Sequence, residues 1–187
     1  MNIANKISTF RILSVPFFIA SLLYYAPQRD YLRFIALGIF ILAALSDAID
    51  GYVARKSKLL SKAGLILDPL GDKLLLMSAF ICLYANTNLA PRFPLWVILI
   101  VISRDVIIIL GAIVVYIVKQ SINIIPTRWG KISTLFQMLA VISVLLQLKF
   151  SPLFWWLAAI FTVVSGAFYI NRGFVILYAL DSSRNNH

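Results

Sequence analysis

The chain has 187 residues, of which 61% are hydrophobic and 13% are charged. A water-soluble domain ordinarily has about 25% charged and 45–50% apolar residues, so this composition excludes an ordinary soluble globule and a disordered chain. The net charge is +10, from 17 basic residues against seven Asp and no Glu. A basic chain can bind nucleic acid, but one this apolar has no polar surface for a duplex, and we predict no nucleic-acid partner. We expect a membrane protein whose cations face anionic lipid on one side of the bilayer.

Six apolar segments, separated by short linkers that contain polar residues or proline, follow one another along the chain. A helix needs about 20 apolar residues to cross the hydrocarbon core of a bilayer. Segments of about this length occupy residues 7–26, 31–53, 65–85, 93–118, 132–148 and 151–170. Because backbone polar groups in lipid must be paired internally, the sequence predicts an all-α integral membrane protein. The expected architecture is a bundle of six transmembrane helices in a single domain, residues 1–187.

The distribution of cations predicts the orientation of this bundle. Most Lys and Arg residues fall on the side that holds both termini and the linker between the second and third helices. The opposite side receives Arg29, Arg33, Arg92 and Lys149. The positive-inside rule therefore places both termini in the cytoplasm and makes the protein a multi-pass protein of the inner cell membrane.

Four carboxylates are concentrated at the cytoplasmic ends of the second and third predicted helices. Asp47 and Asp50 are spaced i,i+3, and Asp68 and Asp72 are spaced i,i+4, so each pair shares one helical face. Ionisable residues within membrane segments are costly and usually functional. Since no His or Cys accompanies them, the acids favour Mg²⁺ or Mn²⁺ over zinc or copper. Two such ions could hold the attacking and leaving oxygens of a phosphoryl displacement.

The acids by themselves also permit a proton-coupled transporter, in which buried Asp residues serve as proton relays. Their neighbours favour an enzyme instead. Gly51, Ala54 and Gly64 are small residues that let a bulky ligand approach the backbone closely. Arg55 adds a planar fork suited to phosphate oxygens. The sequence therefore favours a site for a phosphate-containing substrate at the cytoplasmic interface.

Taken together, these residues form one extended pattern. It is Asp47-x2-Asp50-Gly51-x2-Ala54-Arg55-x8-Gly64-x3-Asp68-x3-Asp72. The pattern resembles the signature of the CDP-alcohol phosphatidyltransferase family at every fixed position, and the resemblance extends along the whole chain, since that family is a six-helix membrane fold. It implies that an alcohol attacks CDP-diacylglycerol and expels CMP. It also implies two divalent ions and a homodimer in the bilayer.

The resemblance also implies roles for individual residues. The first ion would be held by Asp47, Asp50 and Asp68, and the second by Asp47, Asp68 and Asp72. Asp72 matches the general base for the acceptor hydroxyl, a role that requires proximity and a tuned pKa. The implied set of residues that bind the CDP-linked donor is Asn5, Ser8, Arg11, Asp50, Gly51, Ala54, Arg55 and Gly64.

The acceptor alcohol is less narrowly defined. The segment Asn5-x2-Ser8-x2-Arg11 is similar to the start of the phosphatidylglycerophosphate synthase branch, which implies glycerol-3-phosphate. Arg104-Asp105 stands where that branch has Arg-Glu and also resembles cardiolipin synthases of the same fold, which use phosphatidylglycerol. Inositol phosphate and other alcohols stay open. Arg104 has an alternative interpretation, in which it simply neutralises Asp105, although adjacent residues do not share a helical face. The expected pocket for the acceptor phosphate is Arg104, Arg128, Lys131, Thr134 and Arg172.

Overall fold

The computed structural model describes the backbone of residues 3–57, 64–119 and 128–184, and the side chains of residues 10–46, 73–111, 128–171 and 173. Within these ranges the chain contains helices and no strand, so the all-α prediction is confirmed. The α-helices are α1 (Ile3–Leu23), α2 (Tyr31–Ser57), α3 (Gly64–Ala85), α4 (Leu95–Lys119), α5 (Arg128–Leu145) and α6 (Ser151–Arg184). A 3₁₀ turn at Pro27–Arg29 lies between α1 and α2.

Four helices differ from their predicted extents: α1 begins and ends a few residues earlier than the segment 7–26, α2 continues to Ser57, and α5 and α6 also differ. The apolar segment at 151–170 predicts a helix that stops at the membrane edge, but α6 continues to Arg184. Backbone hydrogen bonding does not require apolar side chains, so a helix can continue where the hydrophobic segment ends. α5 begins at Arg128 rather than at residue 132, because its first turn is too polar to be counted as part of an apolar segment.

The C-terminus of α5 also comes earlier than predicted, and its cause is a Schellman motif. Gln147 has a φ of 53°, in the left-handed region. Its N–H donates to the carbonyl of Val144 at 2.9 Å, and the N–H of Leu148 donates to the carbonyl of Ser143 at 3.0 Å. These two bonds satisfy carbonyls that the end of a helix would otherwise leave unpaired. Glycine is the usual residue in this conformation, which is why the sequence around Gln147 gives little warning of the turn.

By its internal contacts the chain divides into two compact units. One comprises Met1–Pro94 and Met138–Pro152, and the other comprises Leu95–Gln137 and Leu153–His187. The single-domain organisation of residues 1–187 stays a prediction.

In the first unit, α1 packs against α2 and α3, and α2 packs against α3. The stripe of α2 at Ala36, Phe40 and Ala43 is fully buried, with the i,i+4,i+7 spacing of one helical face. The two alanines allow the neighbouring helix to approach closely, as is common in membrane helix packing. Between them, the ring of Phe40 lies 5.9 Å from the ring of Phe18 in α1. The first unit thus has a packed apolar interior among α1, α2 and α3, and the motif from Asp47 to Asp72 lies on α2 and α3.

Polar side chains hold the turn between α1 and α2. Arg33 donates from Nε and Nη2 to the two carboxylate oxygens of Asp30, each at 2.8 Å, and from Nη1 to the carbonyl of Leu145 at 2.8 Å. The guanidinium therefore caps the C-terminus of α5 while it forms a bidentate ion pair. The carbonyl of Leu22 near the end of α1 accepts from Nδ2 of Asn86 at 2.7 Å.

Replacing Asp30 with Asn is expected to lower the melting temperature at neutral pH by a small amount, because its carboxylate is 46% exposed. The hydrogen bond from Arg33 holds the pKa of Asp30 below its ordinary value of 3.8. A carboxylate with a depressed pKa stabilises the fold above its unfolded-state pKa, and this stabilisation is lost as the pH falls through the folded-state pKa. The difference in melting temperature between wild type and Asp30→Asn should therefore close in acid. A difference that persists unchanged as the pH falls well below the ordinary pKa of Asp would contradict the ion pair as its source.

Among the residues whose side chains are described, the segment Ser151–Asn171 of α6 is long and apolar enough to cross a membrane. Shorter apolar segments are found at Phe10–Leu23, Tyr31–Ser46 and Lys73–Ala85. Large apolar side chains such as Phe17 face outward, whereas Arg104 is buried. Many large apolar side chains are exposed among the described residues, as is typical of surfaces that contact lipid or another protein.

Candidate active site

The four acids of the motif lie on two helices that pack against each other. Asp47 and Asp50 belong to the C-terminal half of α2, and Asp68 and Asp72 to the first turns of α3. The helical backbone keeps each pair on one face, as the spacing predicts. The side chains of residues 47–72 lie outside the described residues. Metal ligation by the four acids therefore stays a prediction, as does donor binding by Gly51, Ala54, Arg55 and Gly64.

The first part of the predicted donor site lies on α1. Asn5, Ser8 and Arg11 follow one another at intervals of three residues, so they advance along one side of the helix. Arg11 is 1% exposed, and its carbonyl accepts a hydrogen bond from the hydroxyl of Ser14 at 2.8 Å. The side chains of Asn5 and Ser8 lie outside the described residues. Because α1 contacts both α2 and α3, the buried cation belongs to a helix adjacent to the two that carry the acids.

A buried ion pair lies in the middle of α4. Nη1 of Arg104 donates to Oδ1 of Asp105 at 2.8 Å, and the two residues are 6% and 2% exposed. The expected pairing of these charges is confirmed. Although adjacent residues do not share a helical face, the arginine side chain is long enough to reach the adjacent carboxylate. Removing either partner would leave a buried charge uncompensated.

Residues of α6 complete the surroundings of Arg104. Its Nη2 donates to the hydroxyl oxygen of Ser165 at 2.9 Å, and its guanidinium carbon lies 5.8 Å from the centre of the Tyr169 ring. Within the described part of the chain, Nε of Arg104 is buried and has no hydrogen-bond partner. A buried N–H group without a partner is rare in folded proteins and calls for an explanation. Here it leaves one donor of a fixed, positively charged group without a partner among the described residues.

A second polar network joins α5 to α6. The hydroxyls of Ser133 and Thr162 lie 3.0 Å apart, and Nε2 of Gln137 donates to Thr162 at 2.9 Å and to Ser133 at 3.3 Å. The hydroxyl of Thr162 donates in turn to the carbonyl of Ala158 at 2.6 Å. All three side chains are buried. Interhelical hydrogen bonds of this kind hold helices together where water is excluded.

Three of the other residues predicted to bind the acceptor phosphate are less enclosed. Arg128 and Lys131, in the first turn of α5, are exposed. Thr134 is half-buried, and its hydroxyl donates to the carbonyl of Gly130 at 3.1 Å. Arg172 belongs to α6, and its side chain lies outside the described residues. Among the described members of this set, Arg104 is the one that is buried and hydrogen-bonded to other polar side chains. Binding of the acceptor phosphate by any of the five stays a prediction.

Reasoning from sequence named Arg172 on α6 but missed three other polar residues of this helix. Ser165 and Tyr169 contact Arg104, and Thr162 joins the network on α5. The missed signal is the spacing of these polar residues at i, i+3 and i+7, which aligns them on one face of an otherwise apolar helix.

Comparison with known proteins then connects this arrangement to a reaction class. The family model described as CDP-alcohol phosphatidyltransferase matches residues 1–164, a range that contains the motif from Asp47 to Asp72 together with α4 and α5. The chain belongs to the CDP-alcohol phosphatidyltransferase family. It is therefore a phosphatidyltransferase, an enzyme of phospholipid biosynthesis.

Curated relatives of this phosphatidyltransferase cover most of its length. A protein of Bacillus subtilis named CDP-diacylglycerol–glycerol-3-phosphate 3-phosphatidyltransferase is 34% identical, over 94% of this chain and 97% of its own. A protein of Aquifex aeolicus with the same name is 32% identical, over 77% of this chain and 75% of its own. Another of Rickettsia typhi is 29% identical, over 90% and 94% respectively.

Proposed function

We propose that this phosphatidyltransferase transfers the phosphatidyl group of CDP-diacylglycerol to glycerol-3-phosphate, releasing CMP and forming phosphatidylglycerophosphate. The observation that carries the choice of acceptor is the shared name of the relatives in Bacillus, Aquifex and Rickettsia, each of which aligns with at least 77% of the chain. The buried arginine of α4 is in keeping with an acceptor that carries a phosphate. Membership of a transferase family favours this reaction over proton-coupled transport.

The proposed site lies at the cytoplasmic ends of α2 and α3, in a multi-pass protein of the inner membrane whose termini are both cytoplasmic. Six membrane-spanning helices and a homodimer belong to the same proposal. Its support is the outward-facing apolar surface, the apolar segment Ser151–Asn171 and the lengths of α1 to α4, which range from 21 to 27 residues. Helices of that length can cross a bilayer.

The four acids fit a pair of divalent cations, since clustered carboxylates without His or Cys suit Mg²⁺ or Mn²⁺. In this assignment Asp47, Asp50 and Asp68 hold one ion, and Asp47, Asp68 and Asp72 hold the other. When bound, the ions neutralise charge on the phosphate oxygens during transfer. Arg55 and the small residues Gly51, Ala54 and Gly64 are assigned to the donor's diphosphate and cytidine groups, and Asn5, Ser8 and Arg11 to the donor side of α1.

The reaction itself is a displacement at phosphorus. Asp72 accepts the proton of the acceptor hydroxyl. At the same time the hydroxyl oxygen forms a bond to the phosphorus that bears the diacylglycerol group. The bond from that phosphorus to the bridging oxygen of the diphosphate breaks, and CMP leaves with the electron pair. Arg104, with Arg128, Lys131, Thr134 and Arg172, is assigned to the phosphate of the acceptor.

An acceptor panel tests this function. Purified protein, CDP-diacylglycerol and Mg²⁺ would be offered glycerol-3-phosphate, phosphatidylglycerol, inositol phosphate and serine in turn, with CMP release measured for each. We expect release with glycerol-3-phosphate. Release with phosphatidylglycerol alone would make the protein a cardiolipin synthase, and solute uptake into proteoliposomes without CMP release would indicate a transporter.

Replacing Arg104 with Ala is expected to raise the KM for glycerol-3-phosphate about tenfold or more, because a hydrogen bond to a charged group is lost from bound substrate. The kcat should change less, since the contact exists in the ground state and the transition state alike. Arg104→Lys keeps a counter-charge for Asp105 and protects folding, yet it lacks the planar fork and should also raise this KM. An increase in the KM for CDP-diacylglycerol instead would show that the acceptor pocket is misplaced.

A further inference from the structure

One face of α6 bears the residues that surround Arg104. Ser165, Gly166 and Tyr169 share this face, and Ser165 and Gly166 are buried. A Cβ atom added to Gly166 would lie 3.7 Å from Cγ of Arg104, which is ordinary van der Waals contact. The arginine side chain therefore lies directly against the backbone of α6, with its guanidinium beyond Gly166 at Ser165 and Tyr169.

The two terminal nitrogens of Arg104 are anchored from different helices. Asp105 of α4 accepts from Nη1 at 2.8 Å, and Ser165 of α6 accepts from Nη2 at 2.9 Å. A single anchor would leave the planar group free to rotate about that bond, whereas two anchors fix the direction of its plane. The ring of Tyr169, 5.8 Å from the guanidinium carbon, adds a weak attraction at one side.

The two anchors differ in charge. Asp105 offsets the cost of burying a cation, but a carboxylate also reduces the positive charge available to a second anion. Ser165 is neutral, so its hydroxyl orients the guanidinium without neutralising it further. Nε remains buried without a hydrogen-bond partner in the described part of the chain, and Arg104 is 94% buried. The arrangement leaves a buried, positively charged donor that is fixed in direction and has no partner among the described residues.

We propose that Ser165 is a positioning residue for the transfer reaction: its hydroxyl holds Arg104 so that the remaining N–H donors are directed toward the phosphate of the acceptor. This inference rests on the proposed role of Arg104 in acceptor binding. Ser165 itself does not touch the acceptor. Its contribution is the fixed orientation of the group that does, and preorganised donors of this kind lower the cost of ordering a site when ligand binds.

Kinetics of Ser165→Ala test the proposal. The KM for glycerol-3-phosphate should rise about threefold to tenfold, the range that corresponds to the net contribution of one ordinary hydrogen bond, because the contact of Arg104 with the acceptor is loosened and not removed. The kcat and the KM for CDP-diacylglycerol should stay within about twofold of wild type, because donor binding does not involve Arg104. Ser165→Thr retains the hydroxyl and should restore the KM for the acceptor.

Gly166→Ala is the matched control, because it changes the neighbouring buried residue against the same arginine and removes no hydrogen bond. Its KM for both substrates should equal that of wild type. Should Ser165→Ala not fold in detergent, Ser165→Cys keeps the position filled, weakens the hydrogen bond and is expected to show the same rise.

The outcomes separate this inference from the proposed function. If Arg104→Lys raises the KM for glycerol-3-phosphate and Ser165→Ala does not, the positioning role is refuted while the acceptor assignment stands. If Arg104→Lys leaves that KM unchanged, the role of Arg104 fails and the inference fails with it. A Ser165→Ala variant that loses kcat and affinity for both substrates together would show a structural role only.

Discussion

Replacing Asp72 with Asn is expected to slow CMP release by about 10²- to 10⁴-fold, the contribution of a positioned general base. The amide has nearly the same size as the carboxylate but cannot accept the proton of the acceptor hydroxyl at neutral pH. Asp72 is also assigned as a ligand of the second ion, and loss of its charge weakens that site as well. The helical backbone of α3 tolerates Asn at an interior position at small cost, so the variant should fold.

Asp30→Asn is a matched control for this experiment, since it makes the same chemical change in an acid that pairs with Arg33 in the turn before α2. It should keep the wild-type kcat while it lowers the melting temperature slightly. Asp72→Asn should show the reverse, with loss of turnover and little change in melting temperature. Near-normal turnover of Asp72→Asn would remove this residue from the role of base.

Removal of divalent ions is expected to abolish CMP release, and addition of Mg²⁺ or Mn²⁺ should restore it. Without cations, four carboxylates on neighbouring helix ends repel one another, and the charge of the donor's diphosphate is not neutralised. The measurement is the rate of CMP release by protein treated with EDTA, desalted and then titrated with each metal chloride. Activity that survives complete chelation would contradict the metal assignment.

A readout that does not depend on turnover separates metal binding from substrate effects. An ion that binds the folded state stabilises it in proportion to its occupancy, so Mg²⁺ should raise the melting temperature of the wild type. Asp68→Asn removes an acid assigned to both ions and should reduce this rise. The Asp30→Asn control should show the full rise, and sodium chloride at matched ionic strength should not reproduce it.

The extents of the helices were largely predictable because apolar segments of membrane length are a strong signal. The second and third segments, predicted at 31–53 and 65–85, correspond to α2 and α3. The end of α5 was not predictable, since it depends on Gln147 adopting a left-handed conformation that glycine usually occupies. The extension of α6 to Arg184 was missed because hydrophobicity indicates which residues lie in the membrane core. It does not indicate how far the hydrogen-bonded helix continues past that core.

The candidate site also has one part that could be predicted from the sequence and one part that could not. The motif from Asp47 to Asp72 is local in sequence, and helical periodicity alone places its acids in pairs. The contact between Arg104 and Ser165 joins residues 61 positions apart, and nothing in the sequence near Arg104 indicates its partner on α6. Tertiary packing decides such pairs. The ion pair between Arg104 and Asp105 shows the converse, because a rule about helical faces underestimated the reach of a long side chain.

Transfer of glycerol-3-phosphate labelled in its phosphate tests the central claim most directly. Purified protein would be incubated with CDP-diacylglycerol, Mg²⁺ and the labelled acceptor, and label extracted with the lipids would be compared with the CMP released. The proposed function predicts that label enters a phospholipid in equal amount to the CMP. CMP release without label in the lipid, or release that requires phosphatidylglycerol in place of glycerol-3-phosphate, would contradict it.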